Sequence, residues 1–364
     1  RGTFVAKQRH QTISVIGGCA SFFDVLNSLV MKRFPDVSLQ RSADPNAELI
    51  RAVTNMPFAY ETMFAPLPDE MIFRLKSEGR FFPFAFDIHA QDGLIYGIPA
   101  FFSPVVVAWN RNLMRRIEPH FEPRMLTQES FPVLCRKARE QGWNGFGDIY
   151  SRLLITTAIL AAAMLRNDDT VVNRALELVL PWFQYRVPHE NFTSGQTLFE
   201  FLPRNRLQYY MGQGIDFELA PFPSFFNQKV LPFISESLCV GRQAQNKEKF
   251  FKICEYTLSP EFQQAMCNIY QGLSVDRTIT VSLMEIRSYR DDFYFTGLNQ
   301  IRLMNYFFPA AFNRELHLLY DSFQQNSISG EDFRRELEQR YKEIMRKEEN
   351  TQKLWANMHN LLQE

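Results

Sequence analysis

The chain has 364 residues, and its 40 basic side chains balance its 40 acidic ones. A neutral chain has no strong overall attraction for nucleic acids or anionic membranes, which argues against a protein whose main partner is a polyanion. The length suits two or three domains, and a hydrophobic content of 46% argues against global disorder. The 35 phenylalanines exceed what a core alone requires, so we expect some rings to line a pocket.

Strands alternate with helices along the chain, which is typical of βαβ units and predicts an α/β fold with a mainly parallel sheet. Apolar residues at helical spacing predict a helix over 22–34, and Pro35 ends it. The pair Asp92-Gly93 is a hairpin signal. The predicted elements up to residue 109 are a strand at 12–16, the helix at 22–34, a strand at 37–40, a helix at 47–54, a strand at 58–64, a short helix after Pro68, a strand at 94–98 and an apolar strand at 105–109.

Residues 113–202 are predicted to be mostly helical, and strands and helices alternate again after them. A long final helix is predicted from residue 331 onward, because Ser329 and Asp332 can cap it and Glu precedes Lys or Arg by four residues several times. The predicted elements are a helical region at 113–202 divided by prolines, with an apolar buried helix at 153–165, an aromatic strand at 207–211, a glycine turn at 212–214, an extended segment at 230–240, and helices at 246–258, 260–270 and 331 onward.

The five cysteines, at positions 19, 135, 239, 254 and 267, lack the spacing of a disulfide framework or a zinc site. We therefore expect reduced thiols and a cytoplasmic protein. The longest apolar run, 153–165, is shorter than the about 20 residues that span a membrane, so no membrane segment is expected. The string IGGC at 16–19 looks like a lipoprotein cleavage box, but the apolar stretch before it is too short for a signal peptide and favours a strand entering a glycine turn.

Catalytic and cofactor motifs are missing from the sequence. It contains no phosphate-binding loop, zinc-protease motif, serine-hydrolase elbow or dinucleotide fingerprint, and its six histidines are widely separated. We expect no enzymatic activity, no cofactor and no metal. The paired carboxylates of a glycosidase stay open as an alternative, because their spacing in the fold cannot be read from a sequence.

Three segments, taken in order, resemble the bacterial extracellular solute-binding protein family, of the type that binds sugars for ABC transporters. They are DGLIYGIPAFFSPVVVAWNRNLM at 92–114, MGQGID at 211–216 followed by LAPFPS, and the stretch at 234–275 that contains ISESLCV, a helix start at Asn246-Lys247 and LSPEFQQ. With ISVIGG and RFPDV near the start, the resemblance extends over roughly residues 12–320. It implies an α/β, two-lobed, periplasmic-binding-protein-like fold of type II, with a ligand cleft between the lobes.

The resemblance implies that one lobe comprises residues 12–108 and 234–278, and the other 109–233 and 279–364. In such a fold, loops that follow strands supply the ligand contacts. Aromatic rings can stack on the apolar face of a sugar, while hydroxyl, amide and carboxylate groups bind its hydroxyls. The expected ligand-binding residues are Gly18, Cys19, Ser21, Phe22, Asp69, Phe101, Phe102, Ser103, Asp148, Tyr150, Tyr210, Gln213, Ser235 and Glu236. At Gln213-Gly214 the family pattern often has a proline and an aromatic residue, so this departure leaves other ligands open.

The string RGTFVA at 1–6 resembles the last strand, or wing, of the winged-helix domain of GntR-family transcription regulators, and a polar linker follows it. Residues 1–11 are then the remnant of a wing and linker. The leading hypothesis is the sugar-sensing effector domain of such a regulator, in which cleft closure on ligand modulates DNA binding by an absent N-terminal domain in a homodimer. The alternative is a secreted receptor of an ABC sugar transporter.

Overall fold

The computed structural model describes residues 11–17, 20–44, 46–54, 60–165, 170–188, 190–285 and 292–361, with side chains except at 20, 21, 190, 191, 285 and 354–361. The strands in these ranges are β1 (Gln11–Ile16), β2 (Val37–Ser42), β3 (Leu49–Val53), β4 (Ala90–Gln91), β5 (Leu94–Ile95), β6 (Pro99–Asn110), β7 (Asn144–Gly147), β8 (Arg186–Val187), β9 (Thr197–Pro203), β10 (Phe217–Ala220) and β11 (Phe233–Val240). The helices are α1 (Ala20–Arg33), α2 (Tyr60–Met63), α3 (Asp69–Ser77), α4 (Arg111–Ile117), α5 (Ser130–Glu140), α6 (Arg152–Leu165), α7 (Val171–Val179), α8 (Glu190–Thr193), α9 (Leu207–Met211), α10 (Lys247–Tyr256), α11 (Pro260–Tyr270), α12 (Arg277–Glu285), α13 (Asp292–Thr296), α14 (Ala310–Gln324) and α15 (Gly330–Leu361).

The chain divides into two compact units, each built from two separate stretches of sequence. Unit 1 comprises Arg1–Phe102 and Ser235–Glu285, and unit 2 comprises Ser103–Ile234 and Ile286–Glu364. The predicted wing remnant at 1–11 lies, except for Gln11, outside the described residues.

The sheet of unit 1 has the strand order β2-β1-β3-β11. β1 is parallel to both β2 and β3, whereas β11 is antiparallel to β3. Alternate residues of β1, such as Ile13 and Val15, are buried in a core that also contains Phe22 and Leu26 of α1 and Phe262 of α11. The short hairpin of β4 and β5 turns at Asp92 and Gly93, which both have positive φ angles, as the sequence predicts.

Two sequence predictions in unit 1 are wrong. Residues 49–53 form strand β3 instead of part of a helix at 47–54, and Tyr60–Met63 is a helical turn instead of part of a strand at 58–64. Leu49, Ile50 and Ala52 are all buried because β3 lies between two other strands. The periodicity of such a short apolar segment does not distinguish a strand from a helix, since buried strands and buried helical turns can both be apolar at every position.

In unit 2, β6 is antiparallel to β9 and β10, while β7 is parallel to β9 and β8. The sheets of both units therefore combine parallel pairs with antiparallel ones, and apart from the β4–β5 hairpin the described antiparallel strand pairs all involve β6 or β11. Helix α6 supplies much of the core, and it is buried from Leu153 to Ala163, which confirms the predicted buried helix. Helix α15 packs Phe333, Leu337 and Tyr341 into the same core.

The largest error in the sequence prediction concerns the segment 197–211. Thr197–Pro203 is strand β9, whereas Leu207–Met211, predicted as an aromatic strand, is helix α9. Every residue of β9 is buried, so its sequence shows no alternation between apolar and polar positions. In α9, the buried residues Leu207 and Tyr210 are three positions apart, which is helical spacing.

Candidate ligand-binding surfaces

In unit 1, several polar side chains lie where β1 and β3 end. These two parallel strands end at the same edge of the sheet, and antiparallel β11 begins there. Gly17, which follows β1, has a φ angle of +82°, and a Cβ atom at this position would lie 3.4 Å from Cβ of Arg51. Glycine therefore permits both the turn and the close approach of β3.

Arg51 and Glu236 form a two-contact ion pair across β3 and β11. Nε of Arg51 donates to Oε2 of Glu236 at 2.7 Å, and Nη2 lies 2.5 Å from Oε1. The side chains are only 19% and 9% exposed. The guanidinium group also lies 5.6 Å from the ring centroid of Phe22. Both carboxylate oxygens of Glu236 thus contact Arg51, so a ligand at this end of the sheet would contact the ion pair and not a separate carboxylate.

The neighbouring residue Ser235 contacts Thr54. Their hydroxyl groups are within hydrogen-bonding distance, and the Thr54 N–H donates to the carbonyl of Ser235 at 3.3 Å. Ser235 and Phe22 are almost fully buried. The structure therefore brings Phe22, Ser235 and Glu236 to one end of the sheet. Of the other residues predicted there, Gly18 and Cys19 lie outside the described residues, and the side chain of Ser21 is not described.

The two predicted aromatic contacts at the end of the 92–102 segment are core residues of unit 1. Phe101 stacks on Tyr270 with ring centroids 5.4 Å apart, and a Cβ atom on Gly272 would lie 2.4 Å from the Phe101 ring. Phe102 is fully buried and stands edge to face with Phe82 and Phe84. In this conformation neither ring offers a free face to a ligand.

The remaining candidate in unit 1 is Asp69, an exposed residue in the first turn of α3. The pair Phe82 and Phe84 was missed by the sequence reasoning. Their rings stack on each other with centroids 5.4 Å apart, and both are half-buried.

In unit 2, the loop after β7 turns directly into helix α6. The carbonyl of Asp148 accepts hydrogen bonds from the Ser151 N–H at 3.1 Å and from its hydroxyl at 2.8 Å. Asp148 is half-buried, and half-buried Tyr150 packs against the core of the unit. The loop is therefore a tight turn at the carboxyl end of β7 that presents a carboxylate and a phenol.

A buried carboxylate lies beside this turn. Glu200 belongs to β9, which is parallel to β7, and its side chain is fully buried. A Cβ atom on Gly147 would lie 2.1 Å from Oε2 and 2.7 Å from Cδ of Glu200. The carboxylate therefore occupies the space that any other residue at position 147 would fill.

Tyr210 completes this group from helix α9. Burial raises the pKa of its phenol, the negative charge of Glu200 raises it further, and Tyr150 and Tyr209 add to the shift while Arg206 opposes it. The phenol is therefore neutral at physiological pH and can both donate and accept a hydrogen bond. Glu200, Tyr150 and Tyr210 are hereafter called the unit 2 cluster. Glu200 and Tyr210 are buried and Tyr150 is half-buried, so the cluster brings a carboxylate and two phenols together with only Tyr150 partly open to solvent.

Two further predicted residues lie elsewhere in unit 2. The Ser103 hydroxyl is buried and accepts a hydrogen bond from the Asn205 N–H at 3.0 Å. Within the described part of the chain, Oδ1 of Asn205 is buried and has no hydrogen-bond partner. Gln213 is exposed on the turn after α9.

Sequence reasoning missed Glu200 and Asn205. The available signal was the single glutamate in the apolar segment TLFEFLP, because a charged residue is seldom fully buried unless it is paired.

No group of three or more His, Cys, Asp or Glu side chains among the described residues is arranged to hold a metal ion. Within the same residues, no helix combines the length and the apolar character needed to cross a bilayer. Four of the five cysteines, at 135, 239, 254 and 267, are buried and form no disulfide among the described residues.

No protein-family model and no curated protein sequence matches the chain. Solved structures do match it in fold. The sugar-binding protein MalE from Xanthomonas citri is 15% identical, with a TM-score of 0.65 over 94% of this chain and 99% of that one. The GacH receptor of Streptomyces glaucescens, solved unliganded and with acarbose, is 12% identical, with a TM-score of 0.71 over 92% of this chain and 98% of that one.

An ABC transporter solute-binding protein from Thermotoga lettingae, bound to α-D-tagatose, is 13% identical, with a TM-score of 0.70 over 92% of this chain and 99% of that one. Likenesses at these identities establish the fold alone. They confirm the fold class predicted from the sequence, which is the two-lobed α/β fold of the periplasmic binding proteins.

Proposed function

We propose that this chain is a carbohydrate-binding protein of the solute-receptor type. The observation that carries the proposal is the match over more than nine-tenths of the chain to proteins named for binding sugars, acarbose or tagatose. The half-buried ring of Tyr150 in the unit 2 cluster supports it, because a sugar offers apolar C–H faces to aromatic rings and hydroxyl groups to a phenol. Glu200 is fully buried in this conformation and is therefore not among the expected sugar contacts.

The test is a thermal-shift panel of monosaccharides and oligosaccharides on the full chain, followed by calorimetry of any compound that responds. A ligand at 100 times its dissociation constant should stabilise the protein by about 2.7 kcal/mol. A response to amino acids or polyamines with none to any sugar would refute the carbohydrate proposal. A response to a sugar that survives the loss of the Tyr210 hydroxyl would leave binding intact but exclude the unit 2 cluster as its place.

For the biological setting, the first candidate is the binding component of an ABC sugar transporter. The Thermotoga lettingae neighbour carries that description in its name, and the GacH neighbour is called a receptor. The direct test is co-purification with transporter membrane subunits from the native cell, and a protein that never enriches with membranes after cross-linking would contradict this candidate.

The second candidate is the effector domain of a GntR-like regulator, which is favoured by the RGTFVA string and by the free thiols. It requires a cytoplasmic protein, a DNA-binding domain upstream of residue 1 and a homodimer in the longer protein. Sequencing the coding region upstream separates the candidates. A basic winged helix of about 60–70 residues supports the regulator, and a secretion signal eliminates it.

A further inference from the structure

A cavity of about 380 Å³ lies in unit 1, away from the residues described above. The end of α1, helix α3 and the α10–α11 connection form its walls. Phe34, Leu75, Tyr256 and Leu258 give it an apolar lining. Small-molecule sites are typically about 300–1,000 Å³, so the cavity has room for a compact organic molecule.

Two carboxylates and two arginines on the lining neutralise one another. Nη2 of Arg74 lies 2.8 Å from Oε1 of Glu255, and Nε of Arg80 lies 2.7 Å from Oε2 of Glu78. Arg80 also contacts the buried carboxylate of Asp276 at 2.5 Å. These ion pairs hold the wall in place and leave little negative charge directed at the cavity.

Two other cations on the lining, Arg33 and Lys252, are not held in this way. Arg33 forms no close ion pair with any described residue. Glu261 contacts Lys32 at 2.6 Å, which lowers the pKa of the Glu261 carboxyl, and the charge of Arg33 adds a weaker effect in the same direction. Among the described residues, Lys252 forms an ion pair only with Glu248 on its own helix, and these side chains are 62% and 79% exposed. Exposed pairs of this kind stabilise little, so Lys252 can exchange Glu248 for a ligand at small cost.

The amino-terminal end of α11 adds a smaller contribution of the same sign. Ser259 and Pro260, at the start of this 11-residue helix, line the cavity. The partial positive charge at a helix amino terminus favours a nearby anion. At α11 this contribution is weak, because the Ser259 hydroxyl accepts from the Phe262 N–H and Glu261 lies in the first turn. The cavity therefore combines two cations, Arg33 and Lys252, with an apolar lining, and the helix end contributes little.

We propose that this cavity binds a small organic oxyanion, a carboxylate or phosphate monoester, whose charged group contacts Arg33 and Lys252 and whose body packs against Tyr256 and Leu258. The site is independent of the carbohydrate proposal. Bidentate contact with a guanidinium and a second contact with an ammonium group suit either oxyanion.

The test measures the melting temperature of the full chain with succinate, glycerol 3-phosphate, inorganic phosphate or sodium chloride at equal ionic strength. One of the two organic anions should raise it by about 2–4 °C above the chloride value at ten times its dissociation constant. Equal shifts with chloride would overturn the proposal, because they indicate screening only. Equal affinity for inorganic phosphate would also overturn it, because the apolar lining would then contribute nothing.

Variants locate the effect. Arg33→Gln and Lys252→Gln should each weaken binding of the responding anion by about tenfold or more. The control is Arg136→Gln, which removes a cation of unit 2 that, like Lys252, has an exposed partner four residues away. Unchanged affinity in both cavity variants, or an equal loss in the control, would overturn the proposal. The response to sugars serves as a separate readout and should be the same in all four proteins.

Discussion

The close approach of Gly147 to Glu200 gives the sharpest prediction. In Gly147→Ala the new methyl group would lie 2.1 Å from a carboxylate oxygen and 2.7 Å from the carboxyl carbon of Glu200. Both distances are far inside van der Waals contact, and Glu200 is fully buried on a strand paired on both sides. The carboxylate or the strand must therefore move. Overpacking of this kind costs about 1–3 kcal/mol.

Urea unfolding followed by tryptophan fluorescence measures the effect in the correct unit, because the four tryptophans, at 109, 143, 182 and 355, all fall within the sequence of unit 2. The matched control is Gly212→Ala, since Gly212 has a helical φ of −74° and its nearest atom would be 3.4 Å from the added Cβ. We expect the control to change the free energy of unfolding by less than about 1 kcal/mol.

A double-mutant cycle separates the steric cause from a general defect. Gly147→Ala should be much less harmful in a Glu200→Ala protein, where the space is empty, but equally harmful in a Glu200→Gln protein, where a group of the same shape remains. Wild-type stability of Gly147→Ala, or the same loss in both backgrounds, would refute the reasoning.

Three further predictions follow from individual contacts. Tyr210→Phe should weaken the binding of a responding sugar, measured by calorimetry, about five- to tenfold, whereas Tyr209→Phe, at the 52%-exposed neighbouring residue, should leave it unchanged. Equal affinities of Tyr210→Phe and the wild type would exclude the Tyr210 phenol as a ligand contact. Arg51→Met should lower the free energy of unfolding, measured by circular dichroism, by about 3 kcal/mol, because buried Glu236 loses its cation, whereas Lys252→Met should lower it by less than about 1 kcal/mol. Similar losses in the two variants would contradict the argument that burial makes the first ion pair the more important one. Burial lowers the pKa of His89 from 6.5 to about 3, so its unfolded form gains a proton first as the pH falls. Stability should therefore decline between pH 6.5 and 3, with about 2 kcal/mol from this residue lost by pH 5, and urea unfolding of His89→Leu should show a shallower decline than the wild type.

Local signals in the sequence predicted some elements closely. Helix α11 begins at Pro260 and ends at Tyr270, as predicted, because Ser259 caps it and its apolar residues have helical spacing. The Asp92-Gly93 hairpin follows from two residues that tolerate positive φ angles. These features depend on residues within a few positions of one another, so one stretch of sequence contains the needed information.

The errors arise where partners distant in sequence decide the structure. Strands β3 and β9 are short apolar segments that form strands because other strands flank them on both sides. Considered alone, the same apolar segments are equally compatible with a buried helix. Once β9 takes residues 197–203, the aromatic segment after Pro203 lies beyond the sheet and forms α9 instead.

The sequence by itself predicted an α/β fold from the alternation of strands and helices, and the two lobes from the resemblance of three segments to the solute-binding family. The capped helices and the tight turn also follow from the sequence, since they depend on short-range periodicity or on the backbone preferences of single residues. Only the tertiary structure decided which polar groups meet. Arg51 and Glu236 are 185 residues apart, and Glu200 lies opposite Gly147 because β7 and β9 pair in one particular register. Such contacts depend on the order and register of strands, which are set by the packing of the whole unit. The sequence around each contacting residue therefore does not reveal its partner.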